Sequence, residues 1–99
     1  MESKPINALR EFVDEIMVSM GTTFTSHEFI LRLFQRHQGE FIEVLYEYQK
    51  SPAPMRAVTT QIAKDLIATS GQVEPLGEIP DDDIFGDSST CMKWKKITK

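Results

Sequence analysis

The stretch Val73–Lys99, VEPLGEIPDDDIFGDSSTCMKWKKITK, decides the fold. It holds two short strand-like runs, Val73–Ile79 and Cys91–Ile97, separated by the acidic, glycine-containing segment Pro80–Thr90. A strand alternates its faces with a period of two. Val73 and Ile79 then share one face, with Glu74 and Glu78 on the other. Met92 and Trp94 share one face of the second run, with Lys93 and Lys95 on the other. Paired antiparallel with the apolar faces inward, the two glutamates are expected across from the two lysines, each such pair adding roughly 0.2–1 kcal/mol. Pro75 has no N–H for a ladder, so its strand belongs at an edge or bulges there. Inside the connecting segment, Ile84-Phe85 is expected to dock the loop onto the body, because exposing both would lose a few kcal/mol of burial.

Everything upstream reads as helix. Ile6, Leu9, Val13, Ile16, Met17 and Met20 recur at steps of three and four, which predicts a helix over 5–20, with Pro5 in its first turn and Gly21 as its stop. Thr22-Thr23-Phe24 is a short β-prone link. Thr25-Ser26-His27-Glu28 has the form of a capping box and opens the next helix. Ile30, Phe34, His37, Phe41, Leu45 and Tyr48 keep helical phase through Gly39, where a glycine costs only about 1 kcal/mol. One long helix over 26–49, kinked at Gly39 if at all, is therefore expected; two helices broken at 38–39 is the alternative. Ser51-Pro-Ala-Pro54 stops it and starts a third helix over 54–69, with Met55, Val58, Ile62 and Leu66 inward. The expected fold class is mainly α with a small C-terminal antiparallel β-hairpin.

At 99 residues the chain corresponds to one domain, 1–99, burying roughly two-thirds of its unfolded surface. With 40% hydrophobic residues it is not compositionally disordered. The single cysteine, Cys91, excludes an internal disulfide and a cysteine-rich zinc site. A cytoplasmic location is the simplest expectation: the start has no basic, then apolar, leader pattern. No apolar run approaches the ~18 residues that span a membrane, so no membrane partner is expected. The net charge of −4 hides a segregation. Residues 74–87 carry six acids and no base, whereas 91–99 carry Lys93, Lys95, Lys96 and Lys99 and no acid.

Motifs for chemistry are weak. His27-Glu28 lacks the second histidine of a zinc-protease helix, since position 31 is leucine. His37, in phase with Ile30, Phe34 and Phe41, reads as a partly buried histidine with one hydrogen bond. Asp81-Asp82-Asp83 are consecutive and cannot all face one cation, unlike an EF-hand loop. Cys91 in a strand reads as a small buried hydrophobe rather than a nucleophile. Phosphate-binding glycine loops and nucleophile elbows are absent. No enzyme activity, metal, cofactor or small-molecule substrate is implied.

Two binding surfaces stand out. Arg56, Thr60 and Lys64 form an outward stripe of helix 54–69, flanked by Thr59 and Gln61. Arg and Gln can pair with base edges, and Thr and Lys can hold phosphate. An ordinary solvated face is the alternative. Lys93, Lys95, Lys96 and Lys99 could follow a phosphate backbone, or could neutralise Glu74 and Glu78. Trp94 fits the hairpin core better than a base-stacking platform. The second surface is the apolar stripe of helix 26–49, with Phe41, Tyr46, Tyr48, Met17 and Met20 suiting a protein interface or homodimer.

The order helix, β link, helix, helix, hairpin, with Phe24-Thr25-Ser26 leading into a capped helix, resembles the winged helix-turn-helix superfamily over nearly the whole chain. The resemblance implies nucleic-acid binding through helix 54–69, with 80–90 as the wing tip. That tip is acidic here, where a phosphate-touching wing is usually basic. The helix before 54–69 is also too long for the family unless it breaks at Gly39. Winged helices serve as protein-interaction modules as well. The expectation is therefore a non-catalytic binding module, for nucleic acid through helix 54–69 or for protein through helix 26–49.

Overall fold

Spacing dictates how the first helix winds. Ile6, Leu9 and Phe12 are three residues apart, and Pro5–Phe12 forms a 3-10 helix, in which residues i and i+3 eclipse. From Val13 the apolar spacing becomes helical, and the chain continues as α1, Val13–Ser19. Ile6, Leu9, Val13, Ile16, Met17 and Met20 are all buried. The computed structural model describes residues 5–82 and 88–97, so the expectation for Ile84-Phe85 lies outside the described residues.

Strand β1, Thr23–Thr25, leads directly into α2, Ser26–Arg36. The capping box is present. Thr25 Oγ1 accepts from the Glu28 N–H at 3.1 Å, and Glu28 Oε1 accepts from the Thr25 N–H at 3.2 Å. The single helix expected over 26–49 is not observed. α2 ends at Arg36 and α3 runs Gln38–Glu47, with the break at His37 (φ −132°, ψ 55°) and not at Gly39. Tertiary contacts explain the position. The His37 ring stacks on Phe12, centroids 3.8 Å apart, and its Nε2 lies 3.0 Å from Glu15 Oε2. The break turns Phe41 into the core, edge-on to Phe34 at 5.0 Å.

Helix α4, Pro54–Gln61, starts on a proline and passes into a π-helical segment, Ile62–Ile67. The Ala68 N–H reaches back five residues to the Ala63 carbonyl at 3.1 Å. Wider winding brings residues five apart onto one face, and Ile62, Leu66 and Ile67 are all fully buried.

The sheet is more than a hairpin. β2, Val73–Asp82, and β3, Ser88–Lys96, pair antiparallel, and β1 adds a third antiparallel strand in the order β1-β3-β2. Three residues are too few to show an alternation, so β1 reads from sequence only as a link. The face assignment in β2 also differs from expectation. Glu74 pairs with Lys95, but a bulge between Pro75 and Gly77 places Gly77 opposite Lys93 and Glu78 opposite Met92. Gly77 has φ +120°, a conformation for which L side chains are unsuited. Leu76 is the extra residue, half exposed. Beyond it the pattern flips. Val73 lies on the Trp94 face, while Glu78 joins the Met92 face and Ile79 moves to the opposite one.

The core gathers α1, α2, α3, the α4 segment and the inner face of the sheet, with Phe24, Phe29, Phe41 and Leu33 fully enclosed. Trp94 closes it against the start of α2. Its Nε1–H donates to Ser26 Oγ at 2.8 Å, and Ser26 Oγ donates to the Met92 carbonyl at 3.4 Å. No helix among the described residues is long and apolar enough to cross a membrane.

Candidate functional site

α3 and α4 pack on each other, with the hairpin across from them. They leave an open groove of about 1440 Å³. Its helical walls carry Ile42, Leu45 and Tyr46 from α3 and Met55 from the first turn of α4. Met92 and Trp94 line it from β3, and Ile30 from α2. Trp94 is fixed by its bond to the buried Ser26, so this side of the groove is rigidly tied to the α2 N-terminus. Ile42 and Tyr46 are one helical turn apart and are 54% and 64% exposed. Two large apolar side chains on one exposed face lose water contact only if something covers them.

Arg56 and Thr60 of α4, one turn apart, and Lys64 of the π-helical segment that continues it line the same groove. The side chains of Arg56 and Lys64 make no hydrogen bond or ion pair among the described residues. Gln61 is half-buried and does not line the groove. The bulge turns Glu78 to the Met92 face, so one acid stands on the hairpin side of the groove.

Lys99 lies outside the described residues, and the other expected basic residues lie elsewhere. Alternation along β3 puts Lys93 and Lys95 on the face opposite Met92 and Trp94. Lys95 sits between Thr23 and Glu74, and Lys93 between Thr25 and Gly77. Lys96 Nζ donates to the Met20 carbonyl at 2.6 Å. That places a cation at the C-terminus of α1, where the helix dipole favours one. Arg56 and Lys64 therefore do not form one positive face with Lys93, Lys95 and Lys96.

The apolar stripe expected to serve as an interface is largely occupied by the core: Ile30, Leu33, Phe41, Met17 and Met20 are buried, and Tyr48 packs partly against them. Tyr46 is exposed as an interface residue would be. The sequence alone does not mark Ile42, Met55 and Met92 for binding. Their signal there is faint: Ile42 and Tyr46 are apolar positions that fall off the buried phase of α3.

His27 lines the groove and His37 faces α1; no group of three or more His, Cys, Asp or Glu side chains suited to a metal occurs among the described residues. The chain matches no protein-family model, no curated protein and no solved structure.

Proposed function

We propose that the protein is a non-catalytic, winged-helix-like interaction module that holds a segment of another protein in the groove between α3, α4 and the hairpin. The exposed pair Ile42 and Tyr46 beside an apolar trough carries this reading. Helix, short strand, helices and two final strands in the sheet order β1-β3-β2 support the winged-helix-like description. The groove is open rather than enclosed, which suits a macromolecular occupant better than a small ligand.

The test is panning of a display library of random peptides against the native protein and an Ile42→Ser/Tyr46→Ser double variant. Both side chains are exposed, so the variant keeps its fold. Peptides selected on the native protein are expected to bind the variant at least about tenfold more weakly, as loss of central apolar anchors does. Recovery of no binders, or equal binding to both proteins, overturns the reading.

Arg56, Thr60 and Lys64 favour a second reading, nucleic-acid binding through α4. It expects duplex DNA to bind with a negative salt slope that an Arg56→Ala/Lys64→Ala variant flattens by about two units. Absence of binding at low salt removes it.

A further inference from the structure

Resting on the groove reading above, we infer that the occupant is an amphipathic helix carrying acidic residues along one edge of its apolar face. Three observations select this class of partner.

The first is the hydrogen-bonding edge. An extended peptide would dock by adding a strand, and the sheet offers it little. The open edge of β2 carries Pro75 and Pro80 and is bent by the bulge at Leu76. Prolines and bulges of this kind block strand addition. The other edge, β1, is three residues long. A helix satisfies its own backbone and needs only an apolar trough.

The second is the spacing of the apolar anchors. Ile42 and Tyr46 stand one turn apart on α3, with Met55 on α4 and Met92 on β3 also lining the trough. A helix presenting apolar side chains at i, i+3, i+4 and i+7 lays a stripe of that kind into such a trough. The methionines adapt to the partner's side chains, as flexible thioethers do at recognition surfaces.

The third is charge. Arg56 on α4 and Lys64 in the π-helical segment that continues it are eight residues apart, about two turns along the axis and somewhat under the roughly 12 Å of a regular α-helix. Both face the groove, and neither has a partner among the described residues. A bound helix with acids seven or eight residues apart on its near edge reaches both. Glu78, on the sheet side, meets the opposite edge, which should be neutral or basic. Opposite signs on the two sides of the groove thus fix which way the helix is rolled. The chain's net charge of −4 does not steer an acidic partner from afar, so the discrimination acts at contact range, within about one Debye length.

Fluorescence anisotropy tests this with two labelled peptides sharing one Leu-based amphipathic helix, one with Glu and one with Lys along the edge. The Glu peptide is expected to bind native protein at least about tenfold more tightly than the Lys peptide. In an Arg56→Glu/Lys64→Glu variant the order reverses, and in Ile42→Ser/Tyr46→Ser both peptides weaken. Arg56 is exposed and Lys64 is exposed, so the charge variant folds; circular dichroism checks it. Equal binding of the two peptides to native protein, or an order unchanged by the charge reversal, overturns this inference and leaves the groove reading standing. Binding of neither peptide, with duplex DNA bound instead, overturns both.

Discussion

Replacing Gly77 with alanine separates backbone strain from crowding and tests the bulge that sets the site's charge pattern. A methyl at Gly77 meets nothing within 4 Å, so crowding adds nothing to the cost. The cost is conformational. Gly77 has φ +120°, beyond the small left-handed region near +50 to +70° that other residues tolerate. Holding an L-residue in so sparsely populated a conformation costs about 1–3 kcal/mol. In a domain of this size each kcal/mol lowers Tm by about 4–8 °C, so a cost near 2 kcal/mol lowers it by roughly 8–16 °C. Thermal unfolding followed by far-ultraviolet circular dichroism reads this directly. Gly39 is the control. It too has open space for a methyl, but it lies in the first turn of α3 without a positive φ. Gly39→Ala is therefore expected to stabilise by about 0.5–1 kcal/mol. If Gly77→Ala unfolds at or above the native temperature, β2 is regular at that point. Glu78 would then share a face with Glu74 and leave the groove.

Two further substitutions probe how the groove is held. Ser26→Ala removes the acceptor of the buried Trp94 indole N–H and should cost about 1–3 kcal/mol in urea unfolding; a cost below about 0.5 kcal/mol would mean that Trp94 is held another way. Phe41→Ala empties a fully enclosed ring site against Phe34 and should cost about 3–5 kcal/mol by the same measurement; a surface-like effect would place α3 outside the core.

Local chemistry made much of the fold legible. The Thr25-Ser26-His27-Glu28 capping box fixed the start of α2, the proline pair Pro52 and Pro54 the start of α4, and the alternation of Met92 to Lys95 the inward face of β3. What escaped the sequence depends on distant partners. The break at His37 is made by Phe12 and Glu15, more than twenty residues away, while Gly39, the locally obvious breaking point, sits within α3. β1 is a strand only because Lys93 to Lys95 lie beside it. Pro75 signalled an edge or a bulge, but the flip of Glu78 follows from where the extra residue falls.

The candidate site divides in the same way. The stripe Arg56, Thr60, Lys64 follows from helical spacing alone. That Lys93 and Lys95 face away from it depends on which side of the sheet the helices cover, and Lys96 is drawn off by the end of α1. The trough depends on how the hairpin stands against the α3–α4 pair, and no local pattern encodes that placement.

Methyl-resolved NMR during titration with the Glu-edged amphipathic peptide reads out, residue by residue, which surface the peptide covers. A helix seated in the groove is expected to shift the methyl signals of Ile42, Met55 and Met92, leaving the buried Ile16 and the outward Val18 unmoved. Shifts spread over Val18 and other sites away from the groove, or none at saturating peptide, would contradict that seating.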